Sequence, residues 1–320
     1  MNFSWTYISA IISSTFRMCS PILLCSLAAA VCSKANVFNI AMEGCMMISA
    51  FFAIVVNYFT GGSVILSVLA AILSSMAVSA LLAYFIIKLK ASPVVVGMAI
   101  NTTSSGLTTY LMYVFFKTKG LFQRPTLVGL TKVTPFFAGW FPKLSQMFYG
   151  LTYVDYLSWV LAIAVYIFMY KTVLGYRIRA IGINQEAARS LGTPVEKYQF
   201  ITMTLSGILC GLAGCLLSMG SVTLFIQNIT SGKGYIAMTA NNLGRSHPIG
   251  VALASLFFGI CQSVGSFLQQ TSLKGQITGA IPYVATILAS IVSSIRAKQI
   301  KERKIHEAMK KTVERQENAS

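Results

Sequence analysis

Residues Val64–Ile87 read VILSVLAAILSSMAVSALLAYFII, 24 positions without one charged side chain. At about 1.5 Å of rise per residue, a helix of this length exceeds the roughly 20 residues that cross the hydrocarbon of a bilayer. Hydrocarbon offers backbone N–H and C=O groups no partner, so the stretch must be helical or part of a closed barrel. The strict apolar–polar alternation of a barrel strand is missing from it and from its neighbours. Val64–Ile87 therefore predicts a transmembrane helix, and Ile249–Thr271, with no charge in 23 residues, predicts another.

The rest of the chain agrees with lipid as its main solvent. Hydrophobic residues make up 55% of the 320 and charged residues 10%, against about 25% charged in soluble domains. The net charge of +17 would suggest nucleic acid in a soluble protein. Here Lys and Arg sit between apolar runs, as positive-inside topology requires. The start, Met1-Asn-Phe-Ser-Trp5, has no early basic residue and no Ala-x-Ala site, which predicts a retained first helix rather than a cleaved signal peptide. Cys19, Cys25, Cys32, Cys45, Cys210, Cys215 and Cys261 all lie in apolar stretches without metal-ligand spacing, and read as small buried hydrophobes.

Apolar spans fall near residues 5–33, 40–60, 63–87, 94–116, 153–171, 198–220, 249–271 and 277–295, with a shorter segment at 233–244. They predict an all-α polytopic membrane protein of about eight to ten transmembrane helices, some short or broken. One permease-sized membrane domain would cover 1–296, with a charged tail at 297–320. The loop 172–197 holds Arg177, Arg179, Arg189 and Lys197 against Glu186 and Glu196, and the stretch from Arg296 onward holds eight basic residues against four acids. Both are expected on the cytoplasmic side. An even number of crossings must separate them, yet only three long spans lie between. The segment 233–244 must therefore also cross, as a short or broken helix that leaves Arg245 inside, a geometry tolerated where backbone faces protein or a water-lined path. The same count puts the 117–152 loop outside despite its five basic residues, and leaves two or three crossings possible within residues 3–48.

Within the basic loop, Asn184 is a good N-cap, Glu186 suits the positive end of a helix, Gly192 suits a C-terminal cap and Pro194 blocks continuation. These residues predict a cytoplasmic helix of about two turns, too short to hold in water unless it packs on something. Ala187, Ala188 and Leu191 form an apolar knob that either enters a groove of a soluble partner or belongs to an ordinary surface helix.

Glu186-Ala187-Ala188-x-x-x-Gly192 resembles the EAA-type coupling loop of bacterial ABC importer permeases, and Arg177-x-Arg179-Ala-x-Gly182 with Asn184 is similar to the branch serving simple sugars and nucleosides. Upstream, Asn39-Ile-Ala-Met-Glu43-Gly44 resembles that branch's Asn-Ile-Gly-Leu-Glu-Gly element. Downstream, Gly232-Lys-Gly-Tyr-Ile-Ala237, with Gly244-Arg245 and Pro248, resembles its Gly-Arg-Gly-Phe-Ile-Ala element. The three occur in family order and span about 20–295. Ala41, Lys233 and the polar pair Asn241-Asn242 depart from the pattern. The resemblance implies a permease subunit that imports nucleosides, or alternatively simple sugars, by alternating access in a bacterial cytoplasmic membrane. It implies a cytoplasmic ATPase that uses ATP and Mg, an extracellular binding (lipo)protein and, from Met46-Met47 after the Glu-Gly pair, a second homologous permease. Asn184, Glu186, Ala187, Ala188, Leu191 and Gly192 would then couple to the ATPase.

Polar groups inside predicted spans are costly and need partners or a cavity. Glu43 is the sole acid before Asp155. It reads either as part of the translocation path or as a carboxylate accepting backbone N–H groups at the start of the helix 44–60. Asn39 flanks it, while Asn101, Asn241 and Asn242 either touch solute or bond between helices. Gly207, Gly211 and Gly214 lie close to one helix face and allow close packing. The sequence has no Gly-x-x-x-x-Gly-Lys-Ser/Thr phosphate loop, so this chain is expected to be neither an ATPase nor another enzyme and to hold no cofactor or metal. An ion-coupled secondary transporter, the rival class, would need more intramembrane carboxylates or histidines than Glu43 provides.

Overall fold

The computed structural model describes residues 5–118, 120–133, 146–220 and 222–269, together with single helical positions at 284, 287, 291 and 295. The expected span 277–295 and the tail 297–320 lie otherwise outside the described residues. Ten α-helices are described: α1 (Trp5–Lys34), α2 (Met42–Phe59), α3 (Val64–Ala83), α4 (Pro93–Phe116), α5 (Tyr153–Lys171), α6 (Val173–Ile183), α7 (Gln185–Ser190), α8 (Val195–Met219), α9 (Lys233–Leu243) and α10 (Pro248–Gln269). A π turn, Tyr84–Lys88, prolongs α3. Six of these helices, α1, α2, α3, α5, α8 and α10, are long and apolar enough to cross a membrane. α4 has the length, at 24 residues, but its polar run Asn101-Thr-Thr-Ser-Ser105 keeps it out of that set, which corrects its reading as a simple apolar span.

Hydrophobic burial places α1, α2 and α8 at the centre. Ile22, Leu23, Leu24 and Leu27 of α1, Met46 and Ile54 of α2, and Cys210 and Cys215 of α8 are inaccessible. All seven cysteines are free and six are buried, so they fill the core as small apolar groups. Gly207 and Gly211 let α8 press on α3, since a Cβ at either would come within 2.8 Å of a backbone Cα there. Gly214, further along, faces Met46 and Ser49 of α2 instead. The glycine face thus serves two neighbours in succession.

Residues 3–48, expected to hold two or three crossings, hold one unbroken 30-residue helix, α1, which passes Pro21 without a break, and only the start of α2. The C-terminal end of α1 lies beside the basic loop, where the Gln199 amide of α8 donates to the Ala35 carbonyl at 3.2 Å; at the same end Lys88, closing the π turn, pairs with Glu196 at 2.9 Å. This is the basic end of the bundle. At the opposite end, strands β1 (Leu121–Phe122) and β2 (Phe225–Ile226) pair antiparallel. Buried Asn57 fixes Val128 there by accepting from its N–H and donating to its carbonyl, both at 3.0 Å. The described part of the 117–152 loop therefore lies across the bundle from 172–197, as the crossing count requires.

α9 is the short segment demanded by parity. Its 11 residues span about 16 Å, roughly half a bilayer core. It ends at the basic end, where Asn241 donates to Ser33 at 3.0 Å and His247 lies 5.1 Å from the Tyr170 ring at the close of α5. Arg245 follows immediately, on the side occupied by 172–197.

Candidate functional site

Two interrupted helices meet inside the bundle. After α1, residues 35–41 leave helical geometry, and α2 starts at Met42 next to α4 and α9 rather than at a surface. Asn101, which contacts this start, is eight residues or about 12 Å into α4. From the other direction, the chain returns after α8 and begins α9 at the same level, with Gly232 in the left-handed region at φ 75°. An L side chain at that position would be strained.

Glu43 joins the two. It is 6% exposed, and its Oε1 accepts from the Gly232 N–H at 2.8 Å while Oε2 accepts from the Gly234 N–H at 2.7 Å. One carboxylate thereby satisfies two orphan donors at the start of α9 and sits at the positive end of that helix. The sequence left Glu43 as either part of the translocation path or a carboxylate serving its own helix, α2. The structure has it capping α9 instead, because α2's first turn points Glu43 across the junction. Gly234 is required by the contact, since a Cβ there would come within 2.7 Å of the Glu43 backbone nitrogen and carboxylate.

Asn101 supplies the third strut. Its Oδ1 accepts from the Gly44 N–H at 2.8 Å, and its Nδ2 donates to the Ile40 carbonyl at 3.0 Å and the Tyr235 hydroxyl at 3.1 Å. It therefore ties α4 to the start of α2 and to α9. Asn39 donates to Ser206 of α8 at 2.6 Å. Asn241 is buried against α1, whereas Asn242 is exposed, so the adjacent amides have different surroundings. Glu43 and Asn101 are brought together at the junction, Asn39 and Asn241 bond separately to α8 and to Ser33 of α1, and Asn242 lies on an open face.

The second candidate region is the hairpin at the basic end. Asn184, with extended backbone, accepts from the Glu186 and Ala187 N–H groups, each at 3.0 Å, and caps α7. Gly192, at φ 77°, ends it, with Gly192 and Thr193 N–H groups donating to the Arg189 and Ala188 carbonyls at 3.0 Å. Both capping roles follow from the residue types. The apolar knob, however, is divided. Ala188 is 4% exposed and turned into the chain, while Leu191 is 87% exposed; Glu186 and Ala187 are also exposed. This corrects the expectation that Ala187, Ala188 and Leu191 present one surface.

α6 was not expected. Thr172 caps it by accepting from the Gly175 N–H at 3.1 Å, and two arginines clamp it. Arg177 donates to the Tyr198 hydroxyl at 2.7 Å, and the Arg179 guanidinium lies 4.5 Å and 4.7 Å from the Tyr170 and Tyr176 rings. The hairpin is thus held to α5 and α8 through cation–π and hydrogen-bond contacts.

Sequence reasoning also missed a cavity of about 190 Å³ lined by Arg17, Asp155 and Lys233 among apolar residues of α1 and α8. Asp155 forms a capping box with Thr152 at the start of α5. The three residues are far apart in sequence, and nothing in their spacing links them.

Comparison with known proteins places this geometry. Residues 11–290 match the family model described as branched-chain amino acid transport system/permease component. The chain is 31% identical over 292 residues to the guanosine ABC transporter permease protein NupQ of Bacillus subtilis (strain 168), covering 88% of this chain and 91% of that protein. It is 29% identical over 294 residues to the nucleoside ABC transporter permease protein NupC of Lactococcus lactis subsp. cremoris (strain MG1363), covering 87% and 90%. It is 26% identical over 256 residues to the glucose ABC transporter permease protein TsgB13 of Haloferax volcanii, covering 78% and 67%.

Proposed function

This chain belongs to the branched-chain amino acid transport system/permease component family, and from that premise we propose that it is the membrane-spanning subunit through which an ABC importer passes nucleosides. The observation that carries the mechanism is the junction of α2 and α9 on Glu43, where the start of α2 and the half-helix α9 can pivot without exposing backbone to lipid. The nucleoside class is favoured by the higher identity of the guanosine and nucleoside permeases. Simple sugars are the second reading, supported by the glucose permease.

In this reading a cytoplasmic ATPase consumes ATP and Mg, and closure of its dimer is transmitted through the α6–α7 hairpin. Exposed Leu191 and the capped α7 form the contact. A second, homologous permease completes the membrane part, and an extracellular binding protein delivers solute to the end that carries β1 and β2. The basic end, with the 172–197 hairpin and the chain's C-terminus, is cytoplasmic in a bacterial cell membrane. ATP chemistry belongs to the partner, and this chain needs no metal or cofactor of its own.

Uptake of labelled guanosine by cells carrying the whole transporter, with and without this chain, tests the proposal. Uptake should depend on the chain and be competed by unlabelled nucleosides but not by glucose or ribose. Competition by sugar alone would replace the nucleoside reading with the second one.

A further inference from the structure

Several helices present faces that no other described element covers, and their chemistry differs. α3 exposes Ile65, Leu66, Leu69, Leu73 and Leu81, and α10 exposes Ile249, Leu253, Phe257, Ile260 and Val264. Both faces suit hydrocarbon. α9 instead leaves Tyr235, Met238, Thr239 and Asn242 fully or partly exposed, while Gly234, Ile236, Ala237, Ala240 and Asn241 are buried. The open positions fall at i, i+3, i+4 and i+7, one stripe of a helix. Three of the four are polar, and Tyr235 and Thr239 lie between the Glu43 junction and the basic end, where a polar face is penalised by lipid.

The stripe is also prepared for a ligand. Tyr235 is 47% exposed, and its hydroxyl is positioned by the Asn101 amide, which leaves one ring surface accessible beside the Glu43 junction. The Asn242 side chain makes no hydrogen bond among the described residues, and two donors and an acceptor remain available there. Tyr235 and Asn242 are seven residues apart, about 10 Å along the helix, comparable to the long dimension of a purine nucleoside. An aromatic ring binds any nucleobase by stacking, and a free amide matches base edges or ribose hydroxyls.

We infer that the Tyr235–Met238–Thr239–Asn242 face of α9 lines the translocation path and contacts the solute, with Tyr235 stacked on the base and Asn242 on its polar groups. The identity of that solute rests on the nucleoside reading above; the location of the path does not. Because α9 is anchored through Gly232 and Gly234 to Glu43, any movement of the junction would move this face with it.

The test is thiol accessibility in the complete transporter, reconstituted with its ATPase, partner permease and binding protein. Thr239→Cys, Asn242→Cys and the lipid-facing comparator Leu253→Cys are made with the partly exposed Cys261 replaced by Ser. A charged methanethiosulfonate reagent should modify positions 239 and 242 much faster than 253, and guanosine should slow that modification where glucose does not. If 239 and 242 react as slowly as 253, the face is covered and the inference is overturned. Rapid modification that neither solute slows overturns the contact with solute. Protection by glucose alone keeps the path on α9 but removes the nucleoside assignment. As a second measurement, Tyr235→Leu should raise the KM for guanosine about 5-fold or more, the loss expected for a stacking contact, and Tyr235→Phe should restore it. Equal KM values for all three would remove the stacking role.

Discussion

Substituting Glu43 by Gln keeps the length of the side chain and removes its charge. The amide oxygen can still accept from one glycine N–H, but the NH2 group then faces the other donor. One charge-assisted hydrogen bond at the start of α9 is lost, together with the favourable interaction between a carboxylate and a helix N-terminus. The expected loss is about 1.5–3 kcal/mol, read as a lower unfolding temperature of the purified permease, with insertion and subunit assembly retained. Gly234→Ala should cost more, because its Cβ collides with the Glu43 backbone as well as its carboxylate. If Glu43→Gln leaves the thermal transition unchanged, the carboxylate does not hold the junction. The sequence marks Glu43 as an anomaly in an apolar span, and Gly232 and Gly234 as backbone positions of interest. It could not join them, because 189 and 191 residues separate the partners, and only the fold returns the chain to the same depth. Asn101 was legible for the same reason, as a buried amide needing partners, and its three partners were illegible for the same reason.

At the scale of elements, the α6–α7 hairpin shows which local features a sequence carries. The caps of α7 are local chemistry, so Asn184 and Gly192 could be assigned from residue type and spacing. The orientation of α7 depends on how α6 packs against α5 and α8, and that turns Ala188 inward and Leu191 outward. α6 itself was hidden by its Gly and Arg content, which reads as loop until Tyr170, Tyr176 and Tyr198 supply the rings and hydroxyl that its arginines require. The consequence is that coupling is best tested at Leu191. Ala188→Glu would bury a charge inside this chain and destabilise the hairpin, so it reports on folding as well as docking. Leu191→Asp alters a side chain that is already in solvent. The permease should insert and assemble with its partner permease normally, yet retain less ATPase through affinity purification and lose stimulation by solute. Normal retention and stimulation by Leu191→Asp would show that α7 is not the contact through which the stroke passes.

For the whole molecule, the long apolar runs and the alternation of basic loops made the all-α membrane architecture readable, and charge parity singled out the short segment that forms α9. What could not be read was depth. Residues 35–41 and 220–232 both look like ordinary connections, but the hydrogen bonds of Glu43, Asn101 and Asn39 hold the helices they lead into at mid-bundle. The open face of α9 was equally concealed, because Asn241 and Asn242 are adjacent amides in sequence and only packing turns one inward and the other out. The central claim is that this chain conducts solute only when a separate ATPase drives it. The most direct measurement is guanosine flux into proteoliposomes containing the assembled transporter, with MgATP present or absent on the ATPase side and with ion gradients collapsed. Flux should require MgATP and the ATPase subunit and be unaffected by collapsing the gradients. Flux that persists without the ATPase and follows a proton or sodium gradient would contradict it.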